Sequence, residues 1–506
     1  MAAAALGNAT VPSIDYGDVQ GLVRFGYGKM TEACYFLLLI EDAAAACAWL
    51  KSAPITSAVE HKPAPTTGMQ VAFTWEGLQA LGIPRSTGNG FSDEFISGMA
   101  GDESRSRRLG DVGASDPSRW QWGGPGRVPH VLVMLYAEPT LLDGWKQTIK
   151  GAQWTKAFRE LACLSTSHLD GVEPFGFADG ISQPTLDWEQ QRRPGGDDVQ
   201  FGNVLALGEF LLGYPNEYAK YTEHPLVTAA EDPHNILAEA VDSSHRDFGL
   251  NGTYLVFRDL EQDVRGFWRF LDGQAGADPE RRRWLAARMV GRTMAGEPLM
   301  PAADRPIAGV DSQQERLNRF VYDADGAGIR CPLGAHIRRA NPRTGDFPAG
   351  TTGLWSRLLR IFGFGGTRLE EDVIASARFH RILRRGREYG EGLSPDDAVK
   401  SAPAVSEDRG LRFICLNANL ARQFEFVQNA WMMGTKFAAL TEESDALLGN
   451  RVPLRGGSPD TFSIPQESGL ARRLTAVPVF VTVRGGAYFF LPSLRAVRYL
   501  ACLRTE

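Results

Sequence analysis

Tyr35-Phe36-Leu37-Leu38-Leu39-Ile40-Glu41-Asp42 is an apolar run closed by two carboxylates, and a helix-like stretch carrying Trp49 follows it. Far along the chain, Tyr254-Leu255-Val256-Phe257 runs into Arg258-Asp259, and another helix-like stretch carries Trp268. An unbroken apolar run of strand length, stopped by a capping acid and then a helical period, reads as a buried strand feeding a helix. The pattern extends outward. Val131 to Tyr136 precedes a helix containing Trp145, and Leu411 to Leu416 precedes one containing Phe424, Phe426 and Trp431. Near the C-terminus, Pro478 to Val483 and Ala487 to Leu491 flank Arg484-Gly485-Gly486, which predicts a hairpin. Internal duplication accounts for these pairs. The expected fold is α+β, with two antiparallel-sheet halves that each carry helices on one face. We divide the chain into residues 1–222 and 223–506, at the polar loop Gln190 to Asp198 and the His/Asp/Glu-rich connector Glu223 to Asp247. A second irregular stretch, Asn341 to Gly366, is rich in Gly, Pro and Arg and is expected to cover a surface.

The whole chain of 506 residues is ordinary in its polarity. It carries 54 Lys and Arg against 60 Asp and Glu, a net charge of −6, which argues against a nucleic-acid partner that needs a basic face. The longest apolar runs, Ala33 to Ile40 and Ala43 to Leu50, are eight residues each, whereas a bilayer span needs roughly 20. Six cysteines are scattered without any Cys-x-x-Cys spacing, which excludes a zinc ribbon or a thioredoxin-like pair. So few in so long a chain read as free thiols in a reducing compartment. The sequence therefore predicts a cytoplasmic protein with no membrane partner.

No zinc-protease helix, phosphate-binding Walker loop or Gly-x-Ser-x-Gly elbow occurs. Three clusters hold the candidate chemistry. The first is Glu173-Pro174-Phe175-Gly176-Phe177-Ala178-Asp179-Gly180-Ile181, with an aspartate among apolar residues and glycines that admit close approach. The second is Cys331-Pro332-Leu333-Gly334-Ala335-His336-Ile337-Arg338-Arg339-Ala340-Asn341-Pro342-Arg343. A lone imidazole beside small and cationic residues suits a ligand to the metal of an anionic macrocycle, with arginines such as Arg338 and Arg343 meeting its carboxylates. The third is His380-Arg381-Ile382-Leu383-Arg384-Arg385-Gly386-Arg387-Glu388-Tyr389-Gly390. On residue chemistry alone each also has a plain structural reading: a turn aspartate, a packed histidine and a solvated basic segment.

Taken in order, Gly176-x-x-Asp179-Gly180, the Ala335-His336-Ile337-Arg338 segment and Leu383-Arg384-Arg385-Gly386-x-x-Tyr389-Gly390 strongly resemble the dye-decolorising peroxidases. Val19-Gln20-Gly21-Leu22 and Gln423-Phe424-Glu425-Phe426 look like the same family, so the resemblance runs from about residue 18 to about residue 495. It implies two ferredoxin-like halves and one b-type haem per chain, bound mainly by the C-terminal half. It also implies reduction of hydrogen peroxide coupled to one-electron oxidation of organic donors such as dyes and phenolics. His336 matches the proximal iron ligand, with His168 and His130 as fallback ligands. Asp179 matches the distal acid–base residue. Arg384 matches the distal arginine, with Arg385 as the alternative. Gly180 and Ile181 are expected against the haem, and Glu425 is the candidate carboxylate holding the proximal imidazole. Tyr389 matches a position linked to surface radicals, with Trp188 as the second choice. Gly386, and the 48 residues from His336 to Arg384, point to the larger-chain subgroup. The competing reading is a non-catalytic haem carrier or sensor, which has no use for Asp179 and Arg384.

Overall fold

The computed structural model describes residues 13–191, 202–303, 315–343, 376–400, 408–452 and 459–504. The N-terminal half is built from β1 (Glu32–Ile40), α1 (Ala43–Ser52), β2 (Thr67–Phe73), β3 (Val131–Ala137), α2 (Leu142–Ile149), α3 (Ala152–Ala157) and β4 (Phe158–Ser165). The C-terminal half follows with β5 (Thr253–Gln262), α4 (Val264–Ala275), α5 (Pro279–Val290), α6 (His336–Ala340), β6 (Leu383–Arg384), β7 (Arg387–Tyr389), β8 (Gly410–Asn417), β9 (Val481–Leu491) and α7 (Leu494–Cys502).

One antiparallel sheet runs β6-β8-β5-β9-β2-β3-β1-β4, with β7 also on β8. Each half therefore places its strands in the order second, third, first, fourth, as a ferredoxin-like unit does. Central pairs set the register: Tyr35 opposite Met134 in one half, Phe257 opposite Ile414 in the other. The halves meet where Phe490 of β9 bridges Phe73 of β2.

The apolar runs are unbroken because both faces are buried. Cys34, Phe36 and Leu38 point into a core with the helices, while Ala33, Tyr35 and Leu37 point into a second core. That second core is closed by irregular chain, through Val19, Leu22, Phe210 and Tyr214. The acid after each first strand is a helix cap. Asp42 accepts from the Ala45 amide at 2.9 Å, and Asp263 from the Gly266 amide at 2.7 Å.

Two expectations need correction. β5 does not stop at Asp259 but continues to Gln262, because Asp259 pairs in the sheet with Arg412 and Arg258 with Asp111. The expected C-terminal hairpin is the single strand β9. Its glycines serve packing, since a β-carbon on Gly485 would lie 2.5 Å from the Trp122 ring. Of the stretch expected to cover a surface, residues 344–366 lie outside the described residues, as do residues 192–198 of the polar loop.

Gly485→Ala should therefore lower thermal stability. Gly273→Ala, in α4 with nothing within 4 Å of the added carbon, should raise it by about 0.5–1 kcal/mol. Thermal unfolding of the two variants checks both signs.

Candidate active site

His336 opens α6, and Arg339 bolts that short helix in place. Its guanidinium donates to the carbonyls of Trp431 (2.5 Å), Gly434 (3.0 Å) and Glu443 (2.6 Å). The imidazole Nδ1 meets the fully buried Asp445 at 3.1 and 3.2 Å to its two oxygens. Asp445 is itself fixed by the amides of Leu447 (2.9 Å) and Leu448 (2.8 Å). Burial pushes the Asp445 carboxyl up, but His336 and Arg339 prevail and hold it at about 2. Burial likewise presses His336 down, and Asp445 lifts it above the ordinary imidazole value. With Nδ1 committed to Asp445, Nε2 has no hydrogen-bond partner among the described residues.

Asp179 lines the same cavity of about 590 Å³. Its turn is pinned by its own amide to the Gly171 carbonyl (3.0 Å) and by the Ala178 amide to the Met294 carbonyl (2.9 Å). Gly180 follows at φ 74°, a left-handed conformation that a side chain would strain, and the chain then presents Ile181 to the cavity. Arg384 Nη1 donates to Asp179 Oδ1 at 3.0 Å, and the Arg384 amide is held by Gln183 Oε1 at 3.0 Å. The Asp179 carboxylate lies deep in the protein yet is 44 % accessible, because it faces the cavity. Burial raises its pKa and Arg384 lowers it; the sum falls below the ordinary carboxylate value.

Much of the remaining wall is apolar, with Phe175, Phe177, Val290, Phe320 and Leu447 among it. Arg292, Arg343 and Arg381 also line it. Burial lowers all three, Arg343 to about 9, and Arg292 and Arg381 repel it further. Such a knot of buried cations favours an anionic occupant.

No family model matches the chain. A dye-decolorizing peroxidase of Mycetinis scorodonius is 30% identical over 520 residues, covering 95% of this chain and 86% of that protein. The chain belongs to the dye-decolorizing peroxidases. The crystal structure of a fungal member from Auricularia auricula-judae has a TM-score of 0.71 at 25% identity, over 97% of this chain and 100% of that one. A dye-decolorizing peroxidase in complex with 2,6-dimethoxyphenol gives 0.69, also at 25% identity, over 96% of this chain and 100% of that one.

Peroxidases of this family are haem enzymes, and the cavity suits the group. It offers an imidazole nitrogen with its other nitrogen anchored, apolar walls for a flat ring system, and clustered guanidiniums for carboxylates. The structure brings His336, Asp179, Arg384, Ile181 and Arg343 to this cavity. Arg385 is turned away. Successive side chains on a strand point to opposite faces, and its guanidinium donates instead to the carbonyls of Leu22 (2.7 Å) and Val23 (3.0 Å). Arg338 is not at the cavity either. It donates to Asp325 Oδ2 (3.1 Å) and the Cys331 carbonyl (2.7 Å), staying behind α6. Glu425 does not hold the proximal imidazole; its Oε1 takes the Tyr488 hydroxyl at 2.8 Å and Arg105 Nε at 3.0 Å. Tyr389 is buried under the Arg412 guanidinium, 3.6 Å from its ring centre. Trp188 packs half-buried beside Tyr16. His168 pairs with Asp170, and His130 Nδ1 accepts from the Ile40 amide, both away from the cavity.

Nothing in the sequence marked Asp445, and Glu173 stood in the first cluster without a role. Glu173 accepts from the Phe175 and Phe177 amides, both at 3.0 Å, so it ties the Asp179 turn. Burial raises it to about 7. His380 was seen only as part of a basic segment. It lines the cavity, stacks 3.7 Å from Phe426, and burial lowers it to about 4, which keeps it neutral.

Asp445→Asn removes a charge-assisted bond of about 1.5–3 kcal/mol and should shift the haem absorption bands. Glu425→Gln should leave the bands in place. Absorption spectra of the two purified variants distinguish the carboxylates.

Proposed function

We propose that the cavity holds one b-type haem per chain, with His336 as its protein ligand and Arg292, Arg343 and Arg381 facing its carboxylates. The reading rests on one observation: the Asp179–Arg384 pair lines the same cavity as the Asp445-anchored His336. When bound, the haem supplies the redox chemistry that reduces hydrogen peroxide and oxidises donors. Asp179 accepts the peroxide proton and returns it to the leaving oxygen, as base and then acid. Arg384 cannot deprotonate, so it offers a fixed positive charge to the oxygen that becomes negative. Asp445 keeps the Nδ1 proton of His336 in place, which orients Nε2 and makes it more basic. A carrier or sensor would need only the His336 side, and the charge-balanced Asp179–Arg384 pair favours the enzyme.

Small phenolics, as in the 2,6-dimethoxyphenol complex of the similar peroxidase, are proposed donors for this chain too. Dyes too large for the cavity must give up electrons through intervening side chains. Tyr389 is the first candidate relay and Trp188 the second, although Tyr389 is buried and so would pass electrons onward rather than meet the dye. Tyr389→Phe should slow turnover of large dyes several-fold and leave small phenols unchanged, which parallel steady-state assays measure.

Six free cysteines fit a reducing compartment, and we place the enzyme in the cytoplasm. Among the described residues no helix is long and apolar enough to cross a membrane. The halves are divided near residue 222, since the first half-sheet ends at Ser165 and the second starts at Thr253.

A carboxylate base works above its pKa, and Asp179 lies below the ordinary value, so activity should persist to about pH 4. Asp179→Asn should cut peroxide turnover by roughly 10²–10⁴ while the haem spectrum is retained. In Asp179→His the acid limb should rise by roughly two pH units, following the reference values of the two side chains. A limb that stays put would show that another group moves the proton.

A further inference from the structure

Of the six cysteines, all free thiols, only Cys163 is exposed. It sits on β4, the edge strand of the sheet, beside Cys34 on β1. Cys34 lies opposite Ser165, and Phe36 opposite Cys163, so the two cysteines are diagonal neighbours on one face of adjacent strands. Their sulfurs are 3.4 Å apart. A disulfide needs about 2.05 Å, and side-chain rotation with a small shift of β4 closes that gap. β4 can make such a shift because β1 is its single partner in the sheet.

The surroundings divide the labour between the two sulfurs. The Cys34 hydrogen bond, and after it Lys146 and Lys150 on and just beyond α2, lower Cys163 against its partial burial and the opposing charge of Glu160. The same hydrogen bond and burial raise Cys34. An accessible sulfur with thiolate character beside a buried thiol is the arrangement of an attacking and a resolving cysteine. The oxidant is at hand, since peroxide is the enzyme's own substrate.

We propose that Cys163 and Cys34 form a peroxide-oxidisable dithiol that closes reversibly into a disulfide between β4 and β1. Cys163 Sγ attacks one peroxide oxygen, the O–O bond breaks, and the other oxygen leaves as water, giving a sulfenic acid. Cys34 Sγ then attacks Cys163 Sγ, the S–O bond breaks, and the Cys34 proton leaves with that oxygen as a second water. One peroxide is reduced by two electrons, and two thiols become one disulfide. A small dithiol reductant reverses the reaction.

The test uses the haem-loaded enzyme, freed of reductant and given small pulses of hydrogen peroxide. Remaining thiols are then alkylated and peptides mapped by mass spectrometry. Wild type should lose two titratable thiols, yield a linked Cys34–Cys163 peptide, and recover both thiols in dithiothreitol. Cys34→Ser, or Cys34→Ala if the buried hydroxyl prevents folding, should leave Cys163 as a sulfenic acid that dimedone traps. Cys163→Ser should leave Cys34 reduced. Six thiols still titratable after peroxide, or equal oxidation of Cys34 without Cys163, would overturn the proposal.

Discussion

Charge held inside an apolar cavity is the constraint on which this site depends. A carboxylate or guanidinium taken from water costs several kcal/mol unless partners replace the lost hydration. Asp179 has Arg384, and Asp445 has His336 and two backbone amides. The two amides are local, but Arg384 and His336 come from distant parts of the chain, so the fold must close before either charge has its ionic partner. That order of dependence explains the scaffolding around them. Gln183 fixes the Arg384 backbone, Glu173 ties the Asp179 turn, and Arg339 fastens α6 without entering the cavity.

The fold was legible where sequence patterns are local. Strand followed by capped helix leaves its mark within about 20 residues, and both first strands stood out for that reason. His336, Asp179 and Arg384 were legible through short motifs on turns and strand ends. The choice between Arg384 and Arg385 was not, because one residue of register on β6 decides which guanidinium faces the cavity. Asp445 was out of reach for a different reason. It comes from an acidic loop 109 residues beyond His336, and no spacing rule links the two. Glu425 sits in a convincing motif, yet its π-helical stretch aims it at Arg105 and Tyr488. Gly485-Gly486 read as a turn because sequence cannot show a tryptophan lying against a strand.

The two halves do unequal work. The N-terminal half lends the cavity a short rim at Leu109 to Ser115 and, on the irregular chain after its last strand, the turn that carries Asp179. The C-terminal half supplies the imidazole, its anchor and most of the wall. Duplication thus provided a platform, and chemistry accumulated on one copy and on the insertions between strands.

The seam between the half-sheets has a mechanical consequence. Within the sheet the backbone pairing there is the bridge of Phe490 to Phe73, and Trp122 adds a bridge to Gly485 with the Gln121 amide on the Arg484 carbonyl at 2.6 Å, while the interiors of both halves are zipped by long ladders. Cohesion across the seam falls to interlocked side chains such as Phe91, Tyr254 and Phe490. The seam is therefore clamped by side chains more than by backbone, and the Asp111 rim is held to the C-terminal half by Arg258 and by the Ser115 hydroxyl, which accepts from the Val483 amide, and this fixes its place over the cavity.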